Sequence, residues 1–434
     1  MITIFLLLIL AGVTIATLTG QNGILTNATT SKEKNEKGNE LDLVKLASSA
    51  SLIDSQGQPI SLADLQNNLN KQNSNATARQ DESGFIVKFN DTGREYKVDQ
   101  YGKVEGIGEN GGGTGSLPST ADTTPFLPDG FTQKEGTNLD NGLTISNGTN
   151  SYVWVEVPKS IYRTATSETD YANIEVDMKT YTTDYKSSIH KDVYYSDETT
   201  GLTETEFNKL KQTMLTSVYK NGGFWISQYE IGTETLRISK TDPITATPKS
   251  QEGLYPYNWV TCSQAQELAE RINPNSSKYK SSLLFGVQWD LTCKFLEMKG
   301  INLGATTDER KNSIKTDSKA WGNYLDAVFD ITKGQYSSNA GSSYTEVGSS
   351  YTKPNNSIIL LTTGATDRNS SMNIYDFAGN IDEWTLEYTN DASNPCNTRG
   401  GFCSFYGNLT PANHHRKFST IYSNSSIGFR VTLY

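Results

Sequence analysis

Few residues in this chain could carry thiol or imidazole chemistry. Its 434 residues include four cysteines, Cys262, Cys293, Cys396 and Cys403, and three histidines, His190, His414 and His415. No CxxC pair occurs, which excludes a zinc ribbon or a thioredoxin-type redox motif. An even number of cysteines permits two disulfides in an exported chain, and four free thiols is the equal alternative. Neighbouring strand residues point to opposite faces, so His414 and His415 suit neither a facial iron triad nor a zinc site shared with Cys403; two exposed polar residues are expected. No GxSxG is present for a serine hydrolase. The net charge of -10, with no Lys/Arg-rich block, argues against nucleic acid as a partner.

The last cysteine and the paired histidines share one unusual stretch, Phe402 to Ile427, between an orderly Arg399-Gly400-Gly401 and an alternating Gly428-Phe429-Arg430-Val431. All of its residues except Lys417 belong to the set encoded by codons ending in a pyrimidine; Glu, Gln, Met and Trp are missing. Randomising the adenines of Asn-type codons produces such a set. Its aromatics supply contact area, and its Asn, Ser and His supply adaptable hydrogen bonds, the mixture antibody loops use. The expected ligand-binding surface comprises Phe402, Cys403, Phe405, Tyr406, Asn408, Asn413, His414, His415, Lys417, Phe418, Tyr422 and Asn424. Arg399 and Arg430 are expected to serve the scaffold.

The elements that must hold this stretch are short and loop-rich. Hydrophobic residues make up 35% and charged residues 20%, with Gly, Ser, Thr, Asn and Tyr abundant, which suits a strand-containing surface protein of two or three units. Met1 to Leu18 is apolar and uncharged, long enough to span a bilayer as a helix, with a cleaved signal peptide that lacks the basic n-region as the competing reading. A helix is expected over 41–51, and another over 60–70 with Ser61 as its N-cap and leucines at 62, 65 and 69 on one face. Strands flank a turn at Asn90-Asp91-Thr92-Gly93. The Gly/Ser/Thr/Pro-rich stretch 108–125 is expected to be a flexible linker. Beyond Phe126, strands are expected at 151–158 and 222–232. Two helices are expected, one from Ser263 as cap to Asn273 and one over 283–300.

Two resemblances add to this reading. The first fifty residues resemble the N-terminal helix of type IV pilins, without the basic leader, its glycine and the glutamate that follows it. That implies residues 1–50 as a membrane-anchoring or filament-packing helix, 51–107 as a small α/β pilin-like head, a pilus-like assembly as one class of partner, and a pilus or pseudopilus structural subunit as an alternative function. From Tyr152 to Tyr434, "YVWVEVP", "GGFWISQYEIG", "LLFGVQWD", "NIYDFAGNIDEWT", "RGG" and "IGFRVTLY" resemble, in order and spacing, the formylglycine-generating enzyme/sulfatase-modifying-factor family. The resemblance implies an α+β fold with a C-type-lectin-like domain over 126–434. It implies a structural calcium held by Glu383 and the carbonyls of Gly379 and Ile381, with no other cofactor. Phe405 and Thr410 stand where the family's oxidases carry a cysteine pair, so a non-catalytic protein is expected, with a divergent oxidase using Cys403 as the alternative. A variable segment at this place also resembles the variable proteins of diversity-generating retroelements. The expected whole is a cell-surface protein, anchored by its N-terminal helix, that binds an extracellular macromolecule through 402–427.

Overall fold

In the computed structural model, residues 40, 43–55, 58–72, 75–81, 84–92, 95–102 and 104–107 are described, followed by 117–272, 276 and 278–434. The chain divides into two compact units, Met1–Gly113 and Thr114–Tyr434. The apolar run Met1–Leu18 lies outside the described residues, as do 108–116 of the glycine-rich stretch. Among the described residues no helix is long and apolar enough to cross a membrane.

Among the described residues, the smaller unit pairs two helices with a four-stranded antiparallel meander in sequence order, Ala76–Asp81, Gly84–Phe89, Glu95–Asp99 and Val104–Ile107. One helix covers 43–54; the other, Leu62–Lys71, starts at Ser61, whose hydroxyl accepts from the Asp64 amide at 3.1 Å. Leu65 and Leu69 bury the helix face foreseen in the leucine spacing, against Phe85, Val87, Phe89, Tyr96 and Val98.

The larger unit is built around two sheets. The first is antiparallel, in the order Ser281–Leu283, Val431–Leu433, Gly223–Ser227, Ser151–Glu156, Thr144–Ser146, Thr132–Gln133. Trp154 and Trp225, opposite each other in register, meet edge to face at 5.0 Å in its core. In the second sheet, Asp382–Thr389 pairs antiparallel with Cys396–Arg399 and parallel with Ile427–Phe429; Cys396–Arg399 pairs with His415–Phe418. The alternating Gly428-Phe429-Arg430-Val431 therefore does not form one strand. The chain leaves the second sheet at Phe429 and enters the first at Val431, with Arg430 between them. That guanidinium, fully buried, donates to the Ser227 and Tyr375 carbonyls at 2.8 and 2.7 Å and to both Glu383 oxygens at 2.9 and 3.0 Å.

The α+β class expected from the sequence is observed. The expectation of two helices beyond Phe126 falls short, because Tyr171–Tyr181, Glu204–Asn221 and Thr307–Lys315 are also helical. Thr261, not Ser263, caps the Cys262–Arg271 helix, since its hydroxyl accepts from the Gln264 amide at 3.3 Å while the Gln264 side chain returns to the Thr261 amide. The next helix begins at Gly286, because Ser281–Leu283 is drawn into the first sheet. Residues 117–125 lie against this unit: Leu117 and Thr123 are buried, and the Thr123 hydroxyl accepts from Trp154 Nε1 at 2.8 Å.

Candidate functional site

The predicted recognition segment begins on a forced turn. Gly400 and Gly401 take φ of 93° and 74°, and a Cβ on Gly401 would stand 2.1 Å from the Thr410 carbonyl oxygen. Only glycine permits this crossing. Arg399, just before it, is fully buried and held by Asp290 at 2.6 Å and Glu387 at 3.2 Å. The expectation that Arg399 and Arg430 belong to the scaffold matches these contacts.

The segment then splits by exposure. Phe402 and Cys403 turn inward, whereas Phe405, Tyr406, Asn408 and Leu409 face solvent. The loop is fixed from below: Leu325 N–H donates to the Phe405 carbonyl at 2.8 Å, and Gly407 N–H donates to Asp326 Oδ1 at 3.0 Å. Asn413 is half-buried, and its amide donates to the Ile314 carbonyl at 3.3 Å. Asn424 serves a turn, accepting from the Ser426 amide at 2.5 Å while its carbonyl accepts from Trp259 N–H at 3.0 Å. Ile421 is 81% exposed at the tip of the second loop.

Between the two loops runs the His415–Phe418 strand, whose side chains alternate as a strand requires. Arg416 and Phe418 share one face with Asp382 and Trp384. The Arg416 guanidinium lies 4.8 Å from the Phe402 ring and 5.0 Å from each of Phe405 and Phe418, and its Nη1 donates to Asp382 Oδ2 at 3.2 Å. Phe418 stacks on Tyr422 at 4.3 Å and meets Trp384 edge-on at 5.8 Å. Burial raises the Asp382 carboxyl to about 7, against the opposing pull of Arg416.

His415 and Lys417 occupy the opposite face. His415 stacks on His190 at 4.6 Å, with Nε2 3.4 Å from Glu387 Oε1, and lies opposite Arg399 in register. Burial lowers the His190 imidazole to about 4, reinforced by His415. Burial likewise lowers His414 to about 4. Burial alone would raise Glu387, but Arg399, then His415 and His190, override it and hold this carboxylate well below its usual range. His190 reaches the site through Thr389, its partner in register on the Asp382–Thr389 strand. Lys417 is exposed and pairs with Asp391 at 2.8 Å.

This arrangement corrects the residue list in particulars. His414 and His415 are not an exposed polar pair; both are half-buried, and His415 faces His190 and Glu387. Cys403 cannot meet a ligand, being packed against Leu360, Ile381 and Tyr344. Burial raises its thiol to about 12, which disfavours a thiolate there. All four cysteines are free thiols and buried. Sequence reasoning missed Arg416, the centre of the aromatic face, and did not connect His190 to His415.

Glu383, implied by the resemblance as a calcium ligand, is paired with the buried Arg430 guanidinium. Both Glu383 oxygens accept from Arg430, and the Ile381 amide donates to Glu230 Oε1 at 3.3 Å. Among the described residues no group of three His, Cys, Asp or Glu side chains is placed to hold a metal ion. A concavity of about 550 Å³ lies between Phe126, the Glu204–Asn221 helix and Tyr279, but no residue of 402–427 lines it. Its Lys220 and Lys278 pair with Glu168 and Asp129, and it assembles no catalytic constellation.

No family model matches this chain, and no curated protein matches it in sequence. Among solved structures it is similar to Treponema denticola variable protein 1, at 15% identity and a TM-score of 0.27, over 49% of this chain and 84% of that one. It is also similar to CarF, at 13% identity and a TM-score of 0.28, over 48% of this chain and 85% of the other. At these TM-scores the likeness fixes neither fold nor function.

Proposed function

We propose that this is a non-catalytic ligand-binding protein whose larger unit, a C-type-lectin-like scaffold, presents 402–427 as a recognition surface varied by a retroelement. One observation carries the reading: exposed Phe405, Tyr406, Asn408, Leu409 and Ile421 stand on a framework whose stability rests elsewhere, in the Arg399 and Arg430 clusters and the tryptophan core. Large side chains at solvent-facing positions of anchored loops suit contact with a macromolecule. The buried Cys403 thiol weighs against the oxidase alternative.

The test is substitution tolerance. Randomising the five exposed positions together should leave the thermal midpoint within a few degrees while changing which ligands are retained. Failure of most such variants to fold would overturn the reading. A reverse-transcriptase gene and an adenine-rich template repeat beside the coding sequence are expected; variation at codons without template adenines would count against diversification. Formylglycine formed on a cysteine peptide in the presence of copper would establish the enzyme instead. Display at a membrane surface, with the smaller unit as a pilin-like head, rests on the apolar run Met1–Leu18. Recovery of the full chain in the soluble fraction of its source cells would refute it.

A further inference from the structure

The aromatic face contains a cation with unused hydrogen-bonding capacity. Arg416 is 32% exposed, and only Nη1 is engaged, by Asp382; among the described residues its Nε and Nη2 make no hydrogen bond. Its stem and plane are fixed by Phe402, Phe405 and Phe418. A free guanidinium edge held in position fits a carboxylate in a forked, two-bond geometry, and preorganisation by the rings lowers the entropy cost of using it. Phe405, Tyr406 and Leu409, at 38%, 40% and 57% exposure, form an apolar rim on the adjoining loop.

Resting on the binding reading above, we propose that Arg416 is the specificity anchor of this surface and takes one Asp or Glu side chain of a partner protein, flanked by apolar residues that cover the loop rim. The partner segment carries a single acid rather than a polyanion. Lys417 points to the other face and is committed to Asp391, and a chain of net charge -10 repels a dense negative surface. Burial of the contact would make the acid a requirement, because a neutral isostere would leave the guanidinium edge desolvated without a partner.

The probe is a random peptide library displayed on phage, selected on the purified full chain. Retained clones that lose binding to the Phe405→Ala variant are expected to share one Asp or Glu beside apolar residues. Changing that acid to its amide should weaken binding to the wild type at least tenfold, a readout independent of the protein variant's folding. Arg416→Gln should weaken the acidic clones to the same degree and abolish the distinction between acid and amide. If Arg416→Gln does not fold, Arg416→Lys, which keeps charge without the fork, should show a reduced but detectable preference. Clones that depend on Phe405 yet show no acidic preference would overturn the role of Arg416 and leave the binding surface standing. Clones indifferent to both Phe405 and Arg416 would overturn the surface itself.

Discussion

His415 and Arg416 are adjacent in sequence and face opposite worlds. On the His415 side, charges are packed together out of water: Asp290 and Glu387 hold Arg399, and the His190 ring stacks on His415, while Arg399 Nε and both histidine Nε2 atoms have no hydrogen-bond partner among the described residues. On the Arg416 side, one cation sits among aromatic rings at the protein surface and keeps part of its donor set free. The first face buries its charges between strands; the second leaves a cation open to solvent. Burial separates them, and strand alternation lets both come from four consecutive residues.

The comparison can be broken first on the histidine side. Arg399→Met leaves Asp290 and Glu387 buried without their shared counter-ion, and should cost about 3–5 kcal/mol in urea unfolding. A loss under about 1 kcal/mol would mean that the cluster does not hold the sheet. On the other side, Phe418→Ala removes a buried ring from Trp384 and Tyr422, for about 3 kcal/mol by the same measurement.

Acid should separate His190 and Asp382 by sign. His190 falls from 6.5 to about 4 on folding, so the unfolded chain takes up this proton first, and its contribution is lost as pH drops from about 6.5 to about 4. Asp382 rises from 3.8 to about 7, so its contribution grows as pH drops through that interval. The stability advantage of wild type over His190→Gln should shrink on acidification, and that over Asp382→Asn should widen. Urea midpoints that move the same way for both pairs would remove the distinction.

Smaller effects are expected at the rim. Phe405→Ala and Leu409→Ala should each change stability by no more than about 0.5 kcal/mol while altering ligand retention. Lys417→Ala should leave the urea midpoint unchanged within error, because its pair with Asp391 is solvent-exposed and screened.

Some of this organisation was legible from residue order. The leucines at 62, 65 and 69 give the helix face that the structure buries, and Arg399 and Arg430 announce themselves as scaffold by their glycine-rich and alternating surroundings. Thr203–Glu206 and Thr306–Glu309 are capping boxes that could have revealed two unanticipated helices. Tyr171–Tyr181 offered no such signal; its preceding Asp170 makes no side-chain cap bond, and apolar residues do not mark one clear face. Period-two alternation in His415-Arg416-Lys417-Phe418 would have set Arg416 beside Phe418, once the segment was taken as a strand. The His190–His415 stack was beyond reach, since it depends on a pairing between distant parts of the chain. Composition identified the segment's character, but inward and outward positions are decided by neighbours such as Leu360 and Ile381, which cover Cys403.

Among the strands of both sheets, Ile427–Phe429 and Val431–Leu433 come last in sequence, and each pairs with strands formed much earlier. During synthesis the larger unit cannot close until residue 433 has left the ribosome, so its folding is a late, non-local event. The recognition segment is translated just before that closure. A substitution at its exposed positions, such as Phe405 or Leu409, passes unnoticed by the core, but a frameshift or stop codon there deletes the closing strands and the Arg430 clasp together. Translation order thus acts as a proofreading filter: reading-frame errors in the segment yield chains that never complete their fold.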